Sequence, residues 1–523
     1  MSFTSTGFVL FVCIVGVVYY IVPQKRRWIV LLAASYAFYA LSNVKALSFI
    51  VLSTVVSFFT ARKISDIAQK YRGGVQVETD KQKKKLLRAT CKKEKKLFLT
   101  AGLIVCFGIL VAVKYTNFFI ENINALVSLF GTEKRIGMMH LILPLGISFY
   151  TFQITSYLFD VYNEKYEAET NVFHYALYVS WFPAILQGPI SRYNELKPQF
   201  FEEAHLFILK NIQFAIQRVL WGYLKKLVIA DRAAEVVDYI FGNFEMLPWY
   251  ITFAGLLFYS IELYADFSGG MDVVLGVSEL LGIKLTENFR QPFFSQSISE
   301  FWRRWHITLG TWMKDYIFYP FSLSKTSASI GKAFAKISTF AGRIAPMCIA
   351  NLLVFFIVGV WHGAEYHFII YGLYNGALIV LGIIFKPILE KLVALLHINT
   401  ASMAYRVFRT VRTFFLVNVG WVFDDVSDLR QSFCMLRQLF SFKTGNLISN
   451  FQFLTFSPKT IFTVLLFCLV WLIVSIQKER GCNIRECIAS WALPVRWAIY
   501  LALILSVPFF QAANMAGFIY AQF

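Results

Sequence analysis

Charged residues are scarce in this sequence, at 15% of 523 positions, and 31 Asp+Glu stand against 50 Lys+Arg. A soluble globular protein has roughly a quarter of its residues charged, so this scarcity excludes that class. Disorder is excluded as well, because 57% of the residues are hydrophobic and 18% are aromatic, too much apolar surface to stay solvated. The composition therefore predicts a polytopic, all-α integral membrane protein.

Cysteine and histidine are also few, at eight and seven residues. The cysteines lie mostly inside apolar runs, and the close pair Cys482 and Cys487 lacks the spacing of a zinc or redox motif. A disulfide framework is therefore not expected. No internal repeat, low-complexity tract or clean linker divides the chain, so we expect a single membrane domain over residues 1–523.

Long apolar runs, by contrast, are abundant. Since a span of ~30 Å of hydrocarbon needs ~20 mostly apolar residues, we expect roughly eleven to thirteen spans or partial spans. Pro23 and a basic cluster follow the first run without a small-residue cleavage site, so that run is expected to be an anchor and not a removed signal. The candidate spans lie near residues 7–22, 28–41, 46–61, 97–113, 139–159, 172–190, 206–230, 249–265, 346–361, 368–388, 408–423, 460–476 and 495–512.

Basic residues are concentrated between the spans. Residues 62–96 hold 13 Lys+Arg and four acids, so +9 of the total +19 lies in one segment. Lys and Arg are enriched in cytoplasmic loops, which predicts a basic cytoplasmic loop here and an N-terminus outside. Its plain interpretation is a topology signal that lies on anionic membrane lipids, and no nucleic-acid partner is expected. A second acid-free basic stretch between Ser322 and Pro346 should also be cytoplasmic.

Residues 287–345 are predicted to hold a cytoplasmic-side amphipathic helix followed by this basic loop. On a continuous helix, tryptophans would line one face and Arg303, Arg304 and Lys314 the other. The basic face could hold lipid phosphates or the phosphates of an anionic cofactor. His306 would project among the apolar side chains, where it is either a structural histidine or one that contacts substrate.

A second polar cluster, from His362 to His367, follows a 16-residue apolar run from Pro346 to Trp361. At 1.5 Å per residue, His362 would lie ~24 Å along a helix that starts at Pro346. A histidine at that depth could be a metal ligand, a proton carrier or a general base. The metal interpretation is the weakest, because His362 and His367 are five residues apart and do not share a helical face as an i, i+4 pair does.

The last six residues, 518–523, have one hydroxyl, on Tyr520, between two phenylalanines. They are interpreted either as an aromatic-belt anchor or as a tail that presents the Tyr520 hydroxyl as a nucleophile.

Several motifs together resemble the membrane-bound O-acyltransferase (MBOAT) family, in the bacterial branch that contains the alginate O-acetylation membrane protein and the D-alanyl transfer protein of teichoic acids. FWRRWHITLGTWMKDYIFYP carries the resemblance first, and it extends over most of the chain. The other matching segments are LPLGISFYTFQITSYLFDVY (143–162), FPAILQGPISRY (182–193), YADFSGGMDVVLG (264–276), GVWHGAEYHFIIYGLYNG (359–376) and GWVFDD (420–425).

The resemblance implies helices around a central tunnel, with His362 as the family's near-invariant intramembrane histidine and His306 as the second histidine position. Arg303, Arg304, Trp305 and Lys314 become candidates for binding the donor. The tail resembles the branch's C-terminal aromatic motif, in which the tyrosine, here Tyr520, is proposed to carry the acyl group. No metal and no permanently bound cofactor are expected.

The implied function is transfer of an acyl group, with acetyl first, from a cytoplasmic thioester donor such as acetyl-CoA or an acyl carrier. The acceptor would be an extracytoplasmic polysaccharide, through an SGNH-type acyltransferase, at the inner (cytoplasmic) membrane of a bacterial cell. D-alanyl transfer to teichoic acid and a proton-coupled transporter or flippase are the alternatives. Asn375, Lys314 and the GAEYHF segment depart from the branch's usual residues, so the acceptor is left open.

Overall fold

The computed structural model describes residues 1–131, 135–141, 143–442, 458–513 and 517–519. The described residues form helices joined by turns and short irregular segments, with no strand among them, so the predicted all-α class is confirmed. The α-helices are Thr6–Ile21, Arg27–Ser42, Leu47–Val77, Lys81–Lys114, Thr116–Leu129, Ile147–Tyr162, Val172–Ser180, Tyr193–Phe201, Leu209–Tyr223, Asp231–Gly242, Trp249–Leu280, Ile298–Arg304, Ile307–Met313, Tyr319–Ser322, Lys325–Ala335, Thr339–His362, Tyr366–Leu395, Met403–Asp425, Leu429–Leu439, Pro458–Glu479, Ile484–Ala489 and Leu493–Phe510. Two π-helical segments, Leu224–Ala230 and Lys314–Phe318, and three 3-10 turns, Gln24–Arg26, Phe244–Met246 and Pro292–Phe294, complete the set.

Six of the described helices are long and apolar enough to cross a membrane: Leu47–Val77, Lys81–Lys114, Thr339–His362, Tyr366–Leu395, Pro458–Glu479 and Leu493–Phe510. Several other predicted spans are shorter or more polar. Helix Ile147–Tyr162 has 16 residues, and helix Trp249–Leu280 carries Glu262, Asp266 and Asp272. The eleven to thirteen spans predicted from the sequence therefore include partial spans and polar helices, which are not among these six long apolar helices.

Compact packing divides the chain into two units, Met1–Ile216 with Val274–Thr286 and Gln217–Val273 with Glu287–Phe523. In the first unit, the segment predicted as a basic loop is largely helical, because helices Leu47–Val77 and Lys81–Lys114 continue into it from both sides. With 31 and 34 residues, they are roughly 46 and 51 Å long, which exceeds a ~30 Å hydrocarbon layer. The loop prediction was wrong in secondary structure.

Ion pairs stabilise the basic helical hairpin, formed by helices Leu47–Val77 and Lys81–Lys114, within the first unit. The Lys95 ammonium lies 2.5 Å from Glu164 Oε1, and Arg72 contacts the other oxygen of the same carboxylate at 3.1 Å. Hydrogen bonding to Lys95 is the main cause that lowers the pKa of Glu164 below its usual range. The hairpin tip is mostly exposed, which leaves most of its lysines facing solvent or lipid headgroups.

In the second unit, two long helices, Thr339–His362 and Tyr366–Leu395, form a tight hairpin. A Cβ on Gly359 would lie 2.5 Å from the Phe368 carbonyl oxygen, and one on Gly372 would lie 2.2 Å from the Phe355 carbonyl oxygen. Only glycine permits this approach, because a side chain at either position would clash with backbone. The glycines of the GVWHG and IIYGL segments thus fix where His362 lies.

Residues 287–320 do not form the single amphipathic helix that the sequence predicts. Helix Ile298–Arg304 ends before Trp305, and a new helix starts at Ile307. His306 between them has φ 46° and ψ 54°, a left-handed conformation that is uncommon outside glycine. The segment predicted as a second basic loop also contains a helix, Lys325–Ala335. The prediction of one continuous amphipathic helix was wrong because the chain breaks at His306.

Candidate active site

His362 is the last residue of helix Thr339–His362, and Gly363 caps it in an extended conformation. Its side chain is only 3% exposed. A histidine is ordinarily well solvated, and burial disfavours its charged form. The end of this helix places the His362 imidazole in the interior of the second unit. The sequence predicted this burial from the apolar run before His362.

Asp424 is the acidic side chain that faces His362. The His362 Nδ1 and Asp424 Oδ1 atoms are 4.0 Å apart, and both side chains are buried. This distance is longer than a hydrogen bond, for which 2.7–3.2 Å is usual. The other oxygen of Asp424 accepts a hydrogen bond from the Tyr259 hydroxyl at 2.9 Å. The carboxylate is thus oriented by Tyr259 with its first oxygen toward the imidazole.

Asp424 lies in the GWVFDD segment, and its role was not predicted from the sequence. A carboxylate directly after a long apolar helical run, in Met403–Asp425, was the signal that could have identified it, because charges at such positions usually have a partner.

His306 is buried too, at 2% exposure. Its Nδ1 atom lies 3.3 Å from Asn288 Oδ1, which also accepts from the Thr308 backbone N–H at 2.9 Å. Because a backbone N–H can only donate, the Asn288 atom must be the oxygen, and His306 Nδ1 must carry the hydrogen. Burial, with a smaller effect of His362, lowers the pKa of His306 to about 3. The ring is therefore neutral, and its lone pair is on Nε2.

Aromatic side chains pack around both His306 and His362. The Trp361 ring centroid lies 5.1 Å from that of His362 and 5.7 Å from that of His306. Tyr371 contacts His362 at 5.5 Å, and Phe267 contacts His306 at 4.9 Å. The structure thus places the two predicted histidines in one aromatic environment, through Trp361. Such low-dielectric surroundings strengthen any electrostatic contact to a reacting group.

His367, which the sequence marked in the same cluster, is held differently. Its Nδ1 atom hydrogen-bonds the Phe423 carbonyl oxygen at 2.8 Å, and its Nε2 atom lies 3.2 Å from Glu365 Oε2. Asn375, which departs from the usual family residue, accepts from Trp302 Nε1 at 3.2 Å. Both side chains therefore join neighbouring segments of the second unit.

The candidate donor-binding residues differ in exposure. Arg303 and Lys314 are exposed, whereas Trp305 is buried among aromatic rings. Arg304 contacts Glu300 at 2.9 Å and Glu479 at 2.8 Å. Arg304 is thus engaged within the protein, and Arg303 and Lys314 are the two basic side chains presented outward.

Buried charges hold the C-terminal segment near the second unit's core. The Lys226 ammonium lies 2.6 Å from Asp266 Oδ1 and 2.8 Å from Asp231 Oδ1, and it donates to the Gly517 carbonyl oxygen at 2.9 Å. Asp266 Oδ2 accepts from the Ile519 backbone N–H at 3.0 Å. Sequence reasoning missed this cluster. Tyr520 lies outside the described residues.

Among the described residues, no group of three or more His, Cys, Asp and Glu side chains is placed to hold a metal ion. The chemistry available at His362, Asp424 and His306 is proton transfer and hydrogen bonding in an apolar enclosure.

Residues 31–419 match the family model described as MBOAT, membrane-bound O-acyltransferase family. The chain is 32% identical over 443 residues to the probable alginate O-acetylase AlgI of Azotobacter vinelandii, covering 84% of this chain and 78% of that protein. It is 30% identical over 437 residues to the peptidoglycan O-acetyltransferase of Helicobacter pylori, covering 79% and 73%. Against the teichoic acid D-alanyltransferase of Bacillus subtilis, 31% identity extends over 246 residues, 46% of this chain and 58% of that protein.

Proposed function

This chain belongs to the membrane-bound O-acyltransferase family and is an O-acyltransferase, and we propose that it moves an acetyl group from a cytoplasmic thioester, acetyl-CoA, to an extracytoplasmic polysaccharide. The observation that carries the proposal is a buried imidazole, His362, with the Asp424 carboxylate 4.0 Å away. Similarity to a probable alginate O-acetylase over 84% of the chain and to a peptidoglycan O-acetyltransferase over 79% favours acetyl over D-alanyl, because the D-alanyltransferase match covers 46% of the chain. A bacterial inner membrane is the proposed location.

His362 acts as general base in this proposal. Its Nε2 atom takes the proton of an acceptor hydroxyl while the hydroxyl oxygen attacks the thioester carbonyl. The new C–O bond forms as the C–S bond breaks, and the thiolate leaves with the proton that His362 returns. Asp424, oriented by Tyr259, faces Nδ1 at 4.0 Å and stabilises the imidazolium that forms between the two transfers.

His306 has a different role in the proposed reaction. With Nδ1–H donating to Asn288, its Nε2 atom can accept a hydrogen bond but not donate one. It therefore positions a reactant that carries an O–H or N–H group, and it does not stabilise a developing oxyanion.

The acceptor hydroxyl in the proposal is that of Tyr520, which would carry the acetyl group to an SGNH-type transferase outside. This role is supported by the contacts that hold Gly517 and Ile519 to Lys226 and Asp266 in the second unit. Arg303 and Lys314, both exposed, are proposed to contact the donor phosphates.

Labelled acetyl-CoA incubated with the purified protein tests the proposal. Wild type should release free CoA and gain one acetyl group by intact-mass analysis, and Tyr520→Phe should lose the added mass. His362→Ala should abolish CoA release, whereas His140→Ala, an exposed histidine, should behave as wild type. Equal CoA release by His362→Ala would overturn the role of His362. Labelling by a D-alanyl carrier thioester but not by acetyl-CoA would move the function to D-alanylation.

A further inference from the structure

A cavity of about 600 Å³ lies in the second unit, away from the histidines. Side chains of five α-helices and one π-helical segment line it, among them Trp221, Phe467, Val470 and Leu503. This volume is within the 300–1,000 Å³ usual for small-molecule pockets. Neither His306 nor His362 lines the cavity, so it is not explained by the acyl-transfer site.

The cavity is apolar at one end and charged at the other. On helix Pro458–Glu479, Phe467, Val470, Val474 and Lys478 face it at intervals of three or four residues. Eleven residues from Phe467 to Lys478 correspond to roughly 16 Å along the helix. On the facing segment, Leu224 belongs to the apolar cluster that includes Phe467 and Leu503, and Arg218 pairs with the carboxylates of Asp272 and Glu287. The lining therefore has the polarity gradient of a lipid, with one acyl-like end and one headgroup-like end.

The charged end carries a positive excess. Four cations line it, Arg218, Arg290, Lys478 and Arg485, against two carboxylates, Asp272 and Glu287, which gives +2. The carboxylates already pair with Arg218, which lies 3.0 Å from Asp272 and 2.6 Å from Glu287. Lys225 also contacts Asp272 at 2.7 Å. These ion pairs neutralise the two carboxylates within the protein, so an anion at this end would meet a net positive charge.

The apolar end is next to the two least buried of the six described helices that could span a membrane. Only 17% of the span window of Pro458–Glu479 and 6% of that of Leu493–Phe510 are buried inside the protein. Beside cavity-lining Leu503, the neighbours Leu501, Ile504 and Leu505 are 43–50% exposed. Such exposed apolar surface, on helices that can span a membrane, would contact lipid. An acyl chain can therefore reach the cavity from the bilayer.

A layer of rings separates the cavity from the site. The cavity-lining Phe289 ring lies 4.9 Å from that of Phe267 and 5.1 Å from that of Trp305. Phe267 in turn contacts His306. A thioester donor in the cavity would have to pass this layer, which argues against the donor as its occupant.

We propose that the cavity binds one anionic phospholipid. The phosphate lies among Arg290, Lys478 and Arg485, and an acyl chain lies along Phe467, Val470 and Leu503. Basic pockets between membrane helices are known to hold anionic headgroups, with several cations acting together. The bound lipid would join the two C-terminal span helices to the rest of the second unit.

Native mass spectrometry and lipid titration of the purified protein test this proposal. Phosphatidylglycerol should bind at one tight site, and phosphatidylcholine should bind at least ten-fold more weakly. Combined Arg290→Gln, Lys478→Gln and Arg485→Gln should weaken phosphatidylglycerol binding by about ten-fold or more. The matched control, Lys83→Gln, Lys84→Gln and Lys85→Gln on the exposed hairpin, removes the same charge and should change the affinity less than two-fold.

A second variant keeps the proposal testable if the triple variant fails to fold. Leu503→Trp fills the apolar end without altering charge, and it should lower phosphatidylglycerol binding while the protein stays monodisperse. Equal binding of both lipids, or unchanged binding in Leu503→Trp, would overturn the proposal. Displacement of phosphatidylglycerol by CoA alone would also overturn it, because the cavity would then be a donor site.

Discussion

Two buried clusters of ionisable side chains in the second unit differ in the distances between their partners. Lys226 contacts Asp266 and Asp231 at 2.6 and 2.8 Å and a backbone carbonyl at 2.9 Å. His362 and Asp424, equally buried, are separated by 4.0 Å. The first cluster has its partners at bonding distance, whereas the second leaves a longer gap between base and carboxylate.

The difference indicates what each cluster is for. A buried cation with close partners on several segments fixes those segments together, and it loses much if one partner is removed. Catalytic hydrogen bonds are often long in a protein without its substrate and shorten only when the reactants bind. We therefore interpret the Lys226 cluster as structural and the His362 cluster as chemical.

Removing the Lys226 charge should give the largest effect on folding. Lys226→Met leaves Asp266 and Asp231 buried without their cation, so we expect a loss of about 3–5 kcal/mol in stability. Thermal unfolding followed by size-exclusion chromatography measures it, and limited proteolysis should show earlier cleavage of the C-terminal segment. Lys83→Met, an exposed lysine, is the control. Equal stability of the two variants would contradict the structural interpretation of the cluster.

Asp424→Asn should have the opposite signature, a loss of rate with little loss of stability. The amide keeps the shape and can still accept from Tyr259, but it cannot stabilise an imidazolium at His362. We expect acetyl transfer to fall by up to about 100-fold, the cost of a misplaced catalytic group. Single-turnover kinetics with labelled acetyl-CoA measures it, with Asp425→Asn at the exposed next residue as control. A large drop in thermal stability with unchanged rate would move Asp424 to the structural class.

The tautomer inferred for His306 gives a smaller effect that sharpens the comparison. If Nε2 accepts a hydrogen bond, His306→Gln keeps an acceptor, and His306→Phe removes it. We expect His306→Gln to exceed His306→Phe in kcat by about five-fold, since a neutral hydrogen bond contributes about 1 kcal/mol. Equal rates in two variants of equal stability would show that the acceptor at this position does not matter.

Arg303→Gln and Lys314→Gln should give the smallest effects. Exposed charges contribute about 0.2–1 kcal/mol, so each change should raise the KM for acetyl-CoA by about two- to five-fold and leave kcat unchanged. The increase should shrink at high salt, because exposed charges are screened. Arg304→Gln is the contrasting variant, since Arg304 already contacts Glu300 and Glu479. It should lower stability more than it changes KM.

The sequence predicted the helical class, the membrane location and the burial of His362, because each depends on local apolar runs. It did not predict the break at His306, since a left-handed residue inside an apolar helical pattern leaves the periodicity of its neighbours intact. Asp424, Asn288 and Lys226 gain their roles from partners distant in sequence: Asp424 from His362 and Tyr259, Asn288 from His306, and Lys226 from Asp266 and Gly517. Pairings of that kind depend on tertiary packing, which spacing along one chain does not reveal.

The most direct measurement compares two buried histidines that are five residues apart. His362→Gln and His367→Gln make the same chemical change at equally buried positions, but His367 is held by the Phe423 carbonyl and Glu365. Acetyl transfer from labelled acetyl-CoA, normalised to folded protein, should fall about 10²- to 10⁴-fold in His362→Gln and stay within a few-fold of wild type in His367→Gln. Equal losses in the two variants, or an active His362→Gln, would contradict the account.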